Sequence, residues 1–321
     1  MKILAVDDDP FIAELIPLMA AKVGFSDVVT ATSGEEALLA IAAADRPFDC
    51  LIVDLSMPGE DGVKICASVR TIPMYHKVPI IILTEMSEGA SIDRAFRAGA
   101  TDYVTKPLDS VNLGERMQAA YSINMAQLEA ESVVKVQHAD QDGGRVFDLS
   151  EEISADGVGN LIDYTTLKSH LIQLTRTSLL SSQVVAVKID QFEAILARVS
   201  SEEFLYMLSE IVDAVGEVFK TSGYLMAYAG RGTFIVVSRR ANLEPSISTE
   251  RDIQHLLDER NLEYDNGDPL DIDVSIGNPI RPTMTRIHRI AKTFDRAIAR
   301  ADSRAARKQS DPRPLSIRIS R

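Results

Sequence analysis

The chain has 321 residues, a hydrophobic share of 45%, a formal net charge of −13 and a sequence pI of about 4.9. That length exceeds one ordinary core and predicts two domains, while the acidic surface disfavours nonspecific nucleic-acid binding. No apolar run approaches the roughly 18 residues needed to cross a bilayer and the N-terminus carries no signal-peptide pattern, so a soluble, cytoplasmic protein with no membrane partner is expected.

From Met1 to about Tyr121, apolar runs alternate with helical patterns. KILAV, DVVTA, FDCLIVDL, VPIIILT and DYVTKP read as strands, each followed by a helical segment. LIVDL and PIIIL are continuously apolar, as in strands covered by helices on both faces. A doubly wound parallel sheet follows, with its ligand rim at the carboxyl ends of the strands. Cys50 and Cys66 lie within this half in apolar surroundings and read as reduced, packed thiols.

The polar residues of this half collect at that rim. Asp7, Asp8 and Asp9 follow the first strand, Asp54 ends the third, Thr84 the fourth and Lys106 the fifth. Capping of a helix accounts for Asp9 before Pro10. It does not account for polar groups at four strand ends. Carboxylates gathered there repel unless a cation joins them, and a hard ion such as Mg²⁺ suits oxygen ligands. Lys106 and Thr84 offer an ammonium and a hydroxyl to phosphoryl oxygens.

Together VDDDP, LIVDLSMPGEDG, LTE and YVTKP resemble the receiver domain of two-component response regulators over roughly the first 120 residues. The resemblance implies a flavodoxin-like (βα)5 fold and Asp54 as phosphoacceptor. It makes Asp7 and Asp8 the acidic pair that holds Mg²⁺ with Asp54 and the Ser56 backbone carbonyl. It also makes Thr84 and Lys106 the binders of the phosphoryl group, and Tyr103 the aromatic that changes rotamer with it. Glu85 departs from the small residue usual beside the threonine; pointing to solvent is the favoured reading, slowed access to Asp54 the other.

The helix after Asp109 runs on without proline, and Leu113, Met117, Tyr121 and Leu128 form a stripe near heptad spacing. It reads equally as a seam for a second copy and as one helix lying on its own domain. His138 to Asn160 is polar, glycine-bearing and linker-like.

After Asn160 the helix LIDYTTLKSHLIQLTRTSL, the strand VVAVKID, a helical region, the strand pair YLMAY and TFIVVS, and the strand DIDVSIGNPI predict a second α/β domain with a mixed sheet. NLIDYTTLKSHL, VVAVKIDQFEAI, AYAGRGTFIVV, VSIG and FDRAIARADSRAARK together resemble a diguanylate cyclase (GGDEF) domain, which implies a ferredoxin-like core. On that resemblance Gly230, Arg231, Gly232, Thr233 and Phe234 replace Gly-Gly-Asp/Glu-Glu-Phe. Lys188 stands at the metal-binding aspartate, with Asp190 two residues on. Leu196 stands near the guanine-reading asparagine, Asp302 near the phosphate-binding lysine, and Thr221 and Tyr224 at the product-inhibition motif. A metal site without its carboxylates cannot join two nucleoside triphosphates, so cyclase activity is expected to be absent and no cofactor is assigned to this domain.

The domains expected are a receiver at 1–122, a helical extension and linker at 123–159, a degenerate GGDEF-like domain at 160–310 and a basic tail at 311–321. The function expected is that of a response regulator, phosphorylated on Asp54 by a histidine kinase or phosphotransfer protein. It would signal through protein interaction or dimerisation, with a downstream protein and a second copy as partners. One alternative is a diguanylate cyclase with atypical ligands. The other is nucleic-acid contact through the basic segment Arg286 to Arg321, for which a solvated amphipathic helix with a basic tail is the plainer reading.

Overall fold

The computed structural model describes residues 1–58, 60–85, 89–137, 158, 160–174, 179, 181–239, 246–282 and 287–310. The chain divides into two compact units, Met1–Arg145 and Val146–Arg321. Among the described residues no helix is long and apolar enough to cross a membrane.

The first unit is built from β1 (Lys2–Val6), α1 (Pro10–Lys22), β2 (Asp27–Ala31), α2 (Gly34–Ala43), β3 (Cys50–Asp54), a two-residue pair β4 (Ser56–Met57) and β5 (Glu60–Asp61), α3 (Gly62–Arg70), β6 (Ile80–Glu85), α4 (Gly89–Arg97), β7 (Asp102–Lys106) and α5 (Ser110–Gln137). The five long strands pair in parallel in the order β2-β1-β3-β6-β7. This is the flavodoxin-like doubly wound order. Side chains alternate across it. Ile3, Ala5, Ile52, Ile81, Leu83 and Val104 pack with Ile16, Met19 and Ala20 of α1 and Leu113, Met117 and Ala120 of α5, and α2, α3 and α4 cover the other face. Polar caps start the helices: Asp9 accepts from the Phe11 amide, Ser33 from Glu36 and Asp61 from Val63.

The heptad stripe proves to be two different surfaces. Leu113 and Met117 are fully buried in the unit's own core, whereas Tyr121 is 38% exposed and leans on Phe25. Its first half is therefore a core stripe and no seam for a second copy. The Leu128 side chain lies outside the described residues.

The second unit contains α6 (Tyr164–Gln173), β8 (Gln183–Ile189), α7 (Phe192–Leu196), α8 (Ser201–Phe219), β9 (Tyr224–Tyr228), β10 (Thr233–Ser238), α9 (Ser246–Arg260), β11 (Val274–Ile276) and α10 (Ile287–Ser310). Its strands lie in the order β11-β8-β10-β9, and every neighbouring pair is antiparallel. The mixed sheet expected from the sequence is thus corrected. Each strand-helix-strand crossover skips over one strand, so the two crossovers interleave in the split-βαβ manner and leave only antiparallel neighbours. Val185, Val187 and Ile189 face a core with Phe204, Met207, Ile211 and Val215 of α8 and Ile253 and Leu257 of α9. The other face carries α6 and α10, joined by the Tyr164 and Phe294 rings at 5.6 Å.

The strand expected over DIDVSIGNPI is cut to three residues, with an isolated bridge from Ile280 to Val184. Apart from Val158 and Asn160, the linker expected over His138 to Asn160 lies outside the described residues, as does the basic tail at 311–321.

Candidate functional site

The parallel sheet delivers its polar groups to one rim. Asp54 is the last residue of β3, Thr84 lies one residue before the end of β6, Lys106 ends β7, and Asp7 and Asp8 follow β1. Asp7, Asp54 and Thr84 are buried at 1%, 3% and 1% exposure, and Asp8 is exposed. One oxygen from each of Asp7, Asp8 and Asp54 falls within 4.8 Å of the others. Lys106 Nζ reaches Asp54 Oδ1 at 2.8 Å and Asp7 Oδ2 at 2.9 Å. Asp7 Oδ1 accepts from the Asp9 amide at 3.0 Å.

Three carboxylates therefore share one ammonium. Burial pushes the Asp54 carboxyl above the ordinary aspartate range; Lys106 pulls it back, and Asp7 and Asp8 push it up again. Burial alone would lower the Lys106 ammonium, but the Asp54 and Asp7 carboxylates outweigh it and hold it above the usual lysine value. The donor set is all oxygen, is buried at Asp7 and Asp54, and carries more negative charge than Lys106 offsets. These features fit a hard divalent cation.

The backbone around Asp54 is packed closely. The Gly62 amide donates to the Leu55 carbonyl at 3.1 Å, and a Cβ on Gly62 would lie 2.3 Å from the Asp54 carbonyl oxygen. No residue other than glycine fits there without moving the strand that carries Asp54. Thr84 Oγ1 donates to the Glu85 carbonyl at 3.2 Å. Tyr103 is buried and meets Phe96 edge-on at 6.2 Å. Ser56 begins the short β4, whose pairing with β5 had no sequence signal beyond a turn. The Glu85 side chain is exposed.

In the second unit the hairpin within AYAGRGTFIVV joins β9 to β10. Gly230, Arg231 and Gly232 have φ of 83°, 50° and 69°, all left-handed. The Gly232 amide donates to the Tyr228 hydroxyl at 2.9 Å, and a Cβ there would strike the Phe192 ring at 2.5 Å. Phe234 is core, Thr233 is buried and Arg231 is exposed. Thr233, Lys188 and Ser275 form one row across the sheet.

Lys188 of that row forms an ion pair with Asp302 of α10. Asp190 accepts from Ser275 Oγ at 3.0 Å and meets Lys308 Nζ at 3.0 Å. Glu250 takes Arg304 at 2.7 and 3.1 Å together with the Ile276 amide at 2.9 Å. Each of these three acids meets a base, while Asp190 Oδ1 is buried without a hydrogen bond among the described residues and burial, with Asp190 beside it, raises the neighbouring Asp273 carboxyl. Thr221 is exposed; Tyr224 is buried, its ring 6.4 Å from that of Phe219. Leu196 is partly buried against the core.

Residues 3–118 match the family model described as response regulator receiver domain. Similar curated proteins include the transcriptional regulatory protein YvrH of Bacillus subtilis, 34% identical over 117 residues, which are 36% of this chain and 47% of that protein. The transcriptional regulatory protein KdpE of Mycobacterium tuberculosis is 33% identical over 132 residues, 41% of this chain and 56% of that one. The response regulator PleD of Caulobacter vibrioides is 34% identical over 120 residues, 37% of this chain and 25% of that one. Thus the chain spans about half the length of the first two and about a quarter of the third. Among solved structures, the chemotaxis response regulator CheY4 of Vibrio cholerae is 31% identical with a TM-score of 0.35, covering 37% of this chain and 97% of that one.

Proposed function

Residues 3–118 being a response regulator receiver domain, we propose that this chain is a phosphorylation-controlled signalling protein whose phosphoacceptor is Asp54. The observation that carries the reading is the excess of carboxylate at the rim: Asp7, Asp8 and Asp54 converge within 4.8 Å while, among the described residues, Lys106 is the one cation paired with them. Asp7, Asp8 and Asp54, with the Ser56 carbonyl, would hold Mg²⁺. A bound divalent ion supplies charge neutralisation for the oxygens of the transferring group. Asp54 attacks the phosphorus of a phosphohistidine on a kinase or phosphotransfer protein. Lys106 turns from the Asp54 carboxylate to the new phosphoryl oxygens, and Thr84 gives up its bond to the Glu85 carbonyl to donate to them. That shift beside α4 and β7, with Tyr103 following it, is the output signal.

The test is covalent labelling of the full chain by a small phosphodonor with and without Mg²⁺. Label that depends on Mg²⁺ and is lost in Asp54→Asn is the expected result. Equal labelling of that variant would overturn the assignment.

For the second unit we propose a protein-interaction or dimerisation module derived from a cyclase-like fold and lacking its chemistry, with the protein acting in the cytoplasm. The charge pairing supports this: Lys188 and Asp302 neutralise each other where the resemblance places a metal carboxylate and a phosphate lysine. The basic face of α10 gives little support to nucleic-acid contact. Arg300 holds the Asn278 and Pro279 carbonyls, Arg304 holds Glu250, and Lys308 holds Asp190 and the Val274 carbonyl. Incubation of the phosphodonor-treated protein with GTP and Mg²⁺ should give no cyclic dinucleotide, and its appearance would refute the module reading.

A further inference from the structure

Beside the phosphoacceptor lies a cleft of about 530 Å³ lined by Leu55, Ser56, Met57, Pro58, Asp61, Ser91 and Arg94. Leu55 and Ser56 are the two residues that follow Asp54, so the cleft opens directly on the segment carrying the nucleophile. Leu55 and Met57 are buried and apolar, while Ser56, Asp61, Ser91 and Arg94 are polar. Arg94, on α4, spans it: Nη1 meets Asp61 Oδ2 at 3.2 Å and Nη2 donates to Ser91 Oγ at 3.2 Å.

The other carboxylate oxygen of Asp61 is committed to capping α3 through the Val63 amide at 3.0 Å. The Arg94 and Asp61 side chains are 56% and 32% exposed, so their pair is weakly held in water and an incoming anion can exchange for Asp61. A guanidinium carries five N–H donors in a fork that matches a carboxylate, and two contacts leave donors to spare.

We propose that Arg94 is a specificity-determining residue for small phosphodonors, selecting short-chain acyl phosphates by taking their leaving carboxylate. The inference rests on Asp54 being the phosphoacceptor. An Asp54 oxygen forms the new O–P bond as the bond between phosphorus and the acyl oxygen breaks. The electron pair departs on the carboxylate, which pairs with Arg94, and its alkyl end rests on Met57 and Pro58; no proton moves. A phosphoramidate transfers the same phosphoryl group but releases neutral ammonia, to which a guanidinium offers nothing.

The test compares initial rates of covalent labelling of the full chain by acetyl phosphate and by phosphoramidate, at one Mg²⁺ concentration, by intact-protein mass spectrometry. The ratio of the acetyl phosphate rate to the phosphoramidate rate should fall about tenfold in Arg94→Gln, the size of one charge-assisted contact, and recover in part in Arg94→Lys. An unchanged ratio, whether both rates hold or both drop together, overturns the proposal while leaving the Asp54 assignment standing. A wild-type chain labelled by neither donor overturns that assignment and this inference with it.

Discussion

Both units gather charged side chains beside a sheet, and they do it with opposite accounting of charge. In the first, Asp7, Asp8 and Asp54 face Lys106, three negative groups to one positive. In the second, Asp190, Glu250 and Asp302 meet Lys308, Arg304 and Lys188 in turn, with the Asp273 carboxyl beside Asp190 and Lys308. An unbalanced cluster raises its own carboxyl pKa and stays costly until a cation or a phosphoryl group arrives. A cluster whose acids each meet a base has less uncompensated charge with which to hold a ligand. The difference separates a site that waits for chemistry from one that has been turned into internal scaffolding.

The sharpest way to strain this contrast is acid. Burial, with the Arg239 charge, pushes the His170 imidazole of the second unit down to about 3. The folded state then binds fewer protons than the unfolded one below the ordinary histidine range. Stability falls as pH drops from about 6.5 toward about 3, by a total on the order of 4 kcal/mol. The raised Asp54 carboxyl of the first unit gives the opposite sign, gaining stability as pH falls through the aspartate range. In denaturant unfolding of the second unit across this window, His170→Gln should flatten the fall in stability toward low pH. A slope unchanged in that variant would contradict it.

Next in size, Glu250→Ala leaves Arg304 and the Ile276 amide without their acceptor and should cost about 3 kcal/mol in denaturant unfolding of the second unit. A loss under 1 kcal/mol would mean that the paired cluster is not scaffolding. Mg²⁺ at a hundred times its Kd should stabilise the first unit by about 2.7 kcal/mol. The double variant Asp7→Asn, Asp8→Asn should lose that response in a thermal melt, and the second unit should not show it. Smallest is Lys188→Met: its pair with Asp302 is partly solvated, at 26% and 47% exposure, so the change should be under about 1 kcal/mol. An effect several times larger would show that this ion pair is buried in practice and central to the fold.

The two units also differ in how far their sequences announced them. Continuously apolar LIVDL and PIIIL led to a parallel sheet because helices on both faces leave no polar alternation, and a parallel sheet brings its strand ends to one rim by construction. Asp54, Thr84 and Lys106 could be grouped on that ground alone. The second unit hid more. Its all-antiparallel order depends on which strand each crossover skips, and no local pattern encodes that choice. Lys188 and Asp302 are 114 positions apart, and nothing near either residue signals the other. Arg94 went unnoticed for a similar reason: its meaning comes from Asp61, 33 positions earlier, and from the cleft between them. In α5 the spacing was legible but its partner was not, since a core stripe and a seam share one periodicity.

The interleaved sheet of the second unit also has a consequence during synthesis. β8 is flanked by β10 and β11, both made later, and its last hydrogen-bonding neighbour is Ile280, bridged to Val184. From the completion of Ile189 until that residue emerges, the valine-rich segment QVVAVKI has at least one open edge. At typical rates of about 5–20 residues per second this lasts several seconds. A nascent chain in that interval presents an adhesive strand. A ribosome pause that leaves β10 outside the ribosome and β11 still within it should therefore raise the aggregated fraction, whereas a pause after Ile280 has emerged should not.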